Sequence, residues 1–249
     1  MQIDSLTARI MPSASELAHV AALEARRSLM ETLARQGSAA AILSTGNSQL
    51  VFLDLLVQAG GVDWSKVTLF HMDEYLGLAH DHPASFRRYL KERAAERLRP
   101  KAFHYLEGDA AEPIRECERY TRLLKAQPID LCCLGIGENG HIAFNDPPVA
   151  DFEDPLWVKL VKLDNACKQQ QVGEGHFPAL EAVPAYAITL TIPALLSARE
   201  IICLVPESRK AIAVRNALRG PISTSCPASI LRRHPHATLF LDSDSASLL

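Results

Sequence analysis

The 249-residue chain is 48% apolar and 22% charged, with a formal net charge of -3, an ordinary globular profile with length for one large core or two small ones. That slight acidity argues against a general nucleic-acid-binding surface, and no apolar run reaches the roughly 18 residues that span a bilayer. No basic segment followed by an apolar core opens the chain, so a soluble, cytoplasmic protein is expected.

In chain order, Ser13 or Ser15 can cap a first helix that runs to about Gln36 and stops at Gly37. Residues 39–43 form a short apolar strand that leads into Ser44-Thr45-Gly46-Asn47-Ser48-Gln49 and a second helix. Strand, small polar loop and helix N-terminus favour an anion through backbone donors and the helix dipole. An ordinary capped turn reads the same way, and the lysine and spacing of a Walker A loop are missing. Residues 67–70 are a third apolar run, followed by His71-Met72-Asp73-Glu74-Tyr75-Leu76-Gly77-Leu78. One of the adjacent carboxylates can act as a general base; an acidic helix cap is the plainer alternative. A charged helix over 85–98, a short strand over 103–107 and a charged helix over 112–126 come next.

Residues 129–135 are almost continuously apolar, as in a strand buried on both faces of a parallel sheet. They run into a loop carrying Gly135, Gly137 and Gly140 together with Glu138, His141 and Asp146. A histidine beside carboxylates at the carboxyl end of such a strand is a usual place for chemistry in an open α/β sheet. Residues 149–155 read as irregular and 157–163 as a strand. Residues 164–183 show little apolar period, so a mobile lid over the site is expected around 161–182. A strand at 186–191, a helical turn at 192–197 and a buried strand at 200–205 precede a helix that Ser208 can cap. Arg209 and Lys210 then stand in a first helical turn, against the dipole, which makes Lys210 a phosphate-ligand candidate. A helical turn at 227–231, a last strand at 238–241 and a frayed Ser/Asp-rich end complete the chain. The six cysteines show no metal-binding spacing and read as buried free thiols. No repeat or linker divides residues 1–249, so a single α/β domain with a mostly parallel sheet is expected.

Three stretches resemble the glucosamine-6-phosphate deaminase (glucosamine-6-phosphate isomerase) family: Ser44-Thr45-Gly46-Asn47, the run from Phe70 to Leu78, and the run from Gly135 to Pro147. The last two are specific and fall in the same order at similar spacing. Val183-Pro184, Lys210-Ala211 and the length extend the likeness over almost the whole chain, as a divergent branch. The resemblance implies a modified Rossmann-type fold shared with 6-phosphogluconolactonases. It also implies conversion of glucosamine 6-phosphate and water to fructose 6-phosphate and ammonia, with no metal or organic cofactor. By position, Asp73 matches the base that moves a proton between C2 and C1, and His141 the residue that assists ring opening. Thr45, Gly46, Asn47 and Ser48 match the phosphate loop, with Ser44 and Gly137 beside it, and Lys210 matches the phosphate-binding lysine. Glu74, Glu138 and Gln171 are further candidates for substrate contact.

The departures are expectations in themselves. The family usually has Asp at Asn139 and Glu at Asp146, so the ring-opening relay is altered and Asn139→Asp should speed turnover. No arginine takes the place of the family's lid arginine, where Lys168, glutamines and Glu174 stand; galactosamine 6-phosphate is therefore an alternative substrate. Trp157 and Lys159 only partly match the family's allosteric cluster, so activation by an acetylated amino-sugar phosphate is not expected. A 6-phosphogluconolactonase is the second reading, although lactonases usually lack the Met-Asp-Glu-Tyr segment. A sugar-phosphate sensor is the third, against which stand the short stretch before the first helix and the presence of Asp73. Neither nucleic acid nor a membrane is an expected partner, and homo-oligomerisation is left open.

Overall fold

Cys132 and Cys133 point to opposite sides of one sheet, each into its own apolar cluster, and that alternation organises the molecule. The computed structural model describes residues 1–249. In chain order the elements are β1 (Gln2–Ile3), β2 (Leu6–Met11), α1 (Ala14–Gln36), β3 (Ala39–Leu43), α2 (Asn47–Gln58), β4 (Val67–His71) and β5 (Asp73–Tyr75). Then come α3 (Phe86–Leu90), a π-helical turn at Lys91–Ala95, α4 (Glu96–Leu98), β6 (Ala102–His104), α5 (Pro113–Lys125), β7 (Leu131–Leu134) and β8 (Val158–Lys162). The chain ends with α6 (Asn165–Gly173), β9 (Tyr186–Leu190), α7 (Ile192–Leu196), β10 (Glu200–Val205), α8 (Ala211–Arg219) and β11 (Ala237–Asp242).

Eight strands form the main sheet in the order β1-β2-β11-β10-β7-β3-β4-β6, parallel throughout except for the β1–β2 edge pair. From β3 the chain builds outward through β4 to β6, returns to place β7 on the other side of β3, and continues to β10 and β11. The order therefore reverses between β3 and β7, where a crevice opens at the carboxyl ends of the strands. One face of the sheet carries Ile42, Cys132, Cys203 and Leu239 against α5, α7 and α8; the other carries Leu43, Cys133, Leu204 and Phe240 against α1, α2 and α3. All six cysteines are buried and unpaired. A second, antiparallel sheet of β5, β9 and β8 stands beside the crevice. No helix is long and apolar enough to cross a membrane.

Several local expectations hold. Ser13 caps α1 by accepting the Glu16 N–H, and Gly37 closes it. Others change. The N-terminal pair β1–β2 and the short β5 carry no apolar run long enough to announce them. Ser208 caps nothing: residues Ser208–Lys210 form a 3-10 turn, and α8 begins only at Ala211. The C-terminal end is not frayed through Ser245, which is fully buried, because Asp242 accepts the N–H groups of Ser245 and Glu207. Residues 161–182, expected as a mobile lid, are more ordered than their missing periodicity suggests. Val161 and Lys162 still belong to β8, and the helix α6 follows, capped by Asp164 through the Cys167 N–H. Cys167, Phe177 and Val183 bury themselves against Tyr75, Phe86 and Phe144. An apolar face distributed over a helix, a loop and a turn has no single period to detect.

Candidate active site

Four loops meet at the crevice, one from each of β3, β4, β7 and β10. They line a cavity that opens to solvent at its mouth and spans about 690 Å³ with that mouth included. From β3 come Ser44, Thr45, Gly46, Asn47 and Ser48, all lining the cavity. The N-terminus of α2 at Gly46 has no side-chain cap, so its first amides are free to meet a ligand. The Ser44 hydroxyl is buried without a hydrogen-bond partner. From β10, Lys210 reaches the same end of the cavity; it is 6% exposed and its ammonium makes no hydrogen bond or ion pair. Burial pushes its pKa down, opposed by the nearby Glu174. An uncapped helix end, an unpartnered hydroxyl and an unpaired buried cation converge on one small volume and suit a phosphate.

From β4, Asp73 lines the other end. Its carboxyl accepts no hydrogen bond, and burial, with the Glu74 charge beside it, pushes its pKa up to about 8. Glu74 faces away from the cavity. It accepts from the N–H groups of Tyr75, Phe86 and Arg87 and from the Ser85 hydroxyl, at 2.8–3.1 Å. The two adjacent carboxylates thus differ: Glu74 accepts the first amides of α3, whose N-cap is Ser85, and has no lone pair to spare, whereas Asp73 is free. His71, directly before them, is fully buried and held neutral, its pKa pushed down to about 3 by burial, and its Nε2 accepts the Leu106 N–H at 2.6 Å. It serves the fold.

From β7, Gly137 and His141 line the cavity. A Cβ on Gly137 would lie 2.1 Å from the His141 ring, so only glycine lets the loop pass over the imidazole. His141 Nδ1 lies 2.7 Å from Asn139 Oδ1 and 3.0 Å from Asp146 Oδ1, both acceptors. Nδ1 therefore carries the proton and Nε2, without a partner, keeps its lone pair. Asn139 also donates from Nδ2 to Asp146 Oδ1 at 2.9 Å. Neither Asn139 nor Asp146 reaches the cavity; both stand behind the histidine. Burial opposes ionisation of Asp146, but the hydrogen bond and charge of His141, the Asn139 amide and the Cys167 thiol hold its pKa below the usual carboxylate range. A carboxylate, that of Asp146, thus stands 3.0 Å behind the imidazole. His141, Asp146 and Cys167 are also the one grouping of metal-ligand types, with ligand atoms within 4.8 Å of one another. The imidazole Nδ1 and Asp146 Oδ1 already serve each other, so the trio is a hydrogen-bonded support rather than a coordination shell.

The helix α6 contributes Gln170 and Gln171 to the lining, and Glu174 follows directly after it. Gln171 accepts from the Tyr75 hydroxyl at 2.6 Å, which ties α6 to β5. Gln170 accepts the Glu138 N–H at 3.0 Å. Glu138 itself stays at the rim, where its side chain pairs with Arg209 at 3.2 Å. Arg209, Glu207, Glu174 and Gln170 line the cavity and are polar residues that sequence reasoning misses as site members. The only signal for Arg209 is a second cation beside Lys210. Glu207 adopts a left-handed φ of 83° and its N–H is held by Asp242 at 3.0 Å. A non-glycine residue there costs about 1–3 kcal/mol, and this strained corner turns Arg209 and Lys210 into the cavity.

Fold and pocket together define an α/β protein with a built site for a small anionic ligand at the switch point of its sheet. The chain belongs to the family of glucosamine-6-phosphate isomerases and 6-phosphogluconolactonases, whose model matches residues 12–240. It is similar to proteins named glucosamine-6-phosphate deaminase from Listeria monocytogenes serotype 4a (strain HCC23) and Bacillus thuringiensis (strain Al Hakam). Each is 36% identical over 207 residues, which is 83% of this chain and 86% or 76% of the relative. A solved structure described as a monomeric glucosamine-6-phosphate deaminase superposes with a TM-score of 0.88 at 30% identity, covering 98% of this chain and all of the other. A 6-phosphogluconolactonase from Shewanella baltica OS155 superposes with a TM-score of 0.79 at 20% identity, covering 97% of this chain and all of the other, a likeness of fold.

Proposed function

We propose that the chain is an amino-sugar-phosphate deaminase and isomerase, converting glucosamine 6-phosphate and water to fructose 6-phosphate and ammonia. The observation that carries this reading is the cavity itself: an anion-binding end at the β3 loop and Lys210, and a reacting end with an unengaged carboxylate and an imidazole acceptor. His141 Nε2 takes the C1 hydroxyl proton as the ring opens and returns a proton at the ring oxygen, while Asp146 balances the imidazolium between the two steps. Asp73 removes the C2 proton from the open aldose while O1 takes a proton from the neighbouring 2-ammonium, giving an enolamine, and Asp73 then delivers its proton to C1. Water adds to the resulting ketose imine and ammonia leaves. The phosphate anchor lets binding energy from the remote end of the sugar orient the reacting carbons. A cytoplasmic setting belongs to the same reading, supported by six unpaired buried thiols.

Ammonia release from glucosamine 6-phosphate, galactosamine 6-phosphate and their N-acetylated forms, with 6-phosphogluconolactone hydrolysis in parallel, tests the reading. Ammonia from glucosamine 6-phosphate is expected; lactone hydrolysis without ammonia release would overturn it. Lys210→Ala removes the buried ammonium and should raise KM for the phosphosugar by about 10²-fold; an unchanged KM in steady-state assays would take Lys210 out of the phosphate site. The geometry around Asn139 supports a loss of turnover in Asn139→Asp rather than a gain. That change would set a second carboxylate 2.9 Å from Asp146, where the amide now donates. Like charges so close force one to hold a proton, so turnover near neutral pH should fall, by about tenfold, and the pH–rate profile should gain a new ionisation. Faster turnover would show that Asn139 was the weak point of the relay.

A further inference from the structure

At the anion end of the cavity two cations face three carboxylates. Arg209 pairs with Glu138 at 3.2 Å and Glu174 at 3.3 Å, and also with Glu207. Of the three, only Glu174 comes from the lid. It is carried on the residue after α6, its side chain is 7% exposed, and Gln170 donates to it at 2.8 Å. Its main-chain oxygen lies 3.4 Å from the Asn47 amide, directly over the loop at the α2 N-terminus. Burial opposes its ionisation, but His176, Lys210, Gln170 and Arg209 keep its pKa below the usual range, so a formal negative charge already sits among the cations. A phosphate dianion entering beside that carboxylate would meet like charge in a buried volume.

We propose that Arg209 is a second phosphate-binding cation, and that Glu174 stands in for the phosphate in the unliganded chain, so that the sugar phosphate binds beside Lys210 by displacing the Glu174 carboxylate from Arg209. The inference rests on the phosphosugar reading and deepens it. Glu138 and Glu207 stay with Arg209 after the exchange and hold the guanidinium in place, leaving the side that Glu174 vacates to a phosphate oxygen. Gly175, with a left-handed φ of 81° and open space around it, gives Glu174 a backbone that can swing. An arginine from the β10 loop thereby takes over the charge that the missing lid arginine leaves open, and the lid contributes a carboxylate that must leave.

The test uses inorganic phosphate as the probe, titrated calorimetrically into the whole chain at low salt, with thermal unfolding of each variant as the check on folding. Arg209→Gln should weaken phosphate binding about tenfold and Glu174→Gln, nearly isosteric, should tighten it about five- to tenfold. In the Arg209→Gln background the gain from Glu174→Gln should shrink, since the two residues act on one another. KM for the amino-sugar phosphate should move in the same directions, with kcat changing far less. A phosphate affinity unmoved by Arg209→Gln, or weakened by Glu174→Gln, would overturn the inference; if Arg209→Gln does not fold, the Glu174→Gln result alone decides. Ammonia release with no response to these variants would sink the inference and leave the reaction standing. The predicted phosphate response without ammonia release would do the reverse.

Discussion

Asp73→Asn should lower turnover by about 10³-fold or more and abolish exchange of the C2 proton with solvent, while the sugar phosphate still binds. The asparagine keeps the shape and loses the base, and solvent-isotope incorporation read by NMR checks it; retained exchange would move the base elsewhere. The same carboxyl ties activity to pH. Asp73 acts only when ionised, and its pKa stands near 8 in the folded chain, so kcat/KM should climb with pH to a plateau above that value. Stability runs the other way. The folded pKa lies above the ordinary 3.8, so folding favours the protonated form. That contribution is complete below about 3.8 and is lost as pH rises through about 8. Removing the ionisation with asparagine should therefore stabilise the chain at pH 7 by about 2–4 kcal/mol. Denaturant unfolding at pH 5 and pH 8 should show the gap between the two proteins widening with pH.

Asp146→Asn should slow turnover by about 10²–10³-fold with little change in KM, because Asp146 touches the histidine and not the cavity. The variant keeps the Asn139 contact and removes the negative charge lying 3.0 Å from His141 Nδ1. Without it the imidazolium of the ring-opening step loses its counter-charge. The loss should be specific to the cyclic substrate, and a ring-blocked open-chain analogue should show C2 proton exchange at nearly the parental rate. Equal losses on both would assign Asp146 a wider role.

The two carboxylates after β4 show where local pattern stops. Asp73 and Glu74 are adjacent, buried and chemically alike, and sequence alone leaves both as bases or caps. The decision lies in what folds over them: Ser85 and the first amides of α3 engage Glu74, whereas Asp73 is left facing the cavity. Asn139 and Asp146 tell the same story. Read singly they weaken the relay; packed together they form one hydrogen-bonded unit behind His141.

By itself the sequence determined the parallel α/β architecture, since strands buried on both faces need continuous apolar runs such as residues 129–135, and a short run between polar loops is legible locally. It also pointed to the four loops that line the cavity, because the 44–48 segment, Asp73, Gly137 with His141, and Lys210 follow strand ends where any such sheet places its crevice. Only the tertiary structure decided the edge strands, the helix α6 and the partners of Glu74, Asp146, Arg209 and Glu174. Those features rest on contacts between residues far apart in the chain, as Arg209 with Glu138 and Gln171 with Tyr75. A side chain's charge state and role follow from its desolvation and its neighbours, which no local pattern encodes.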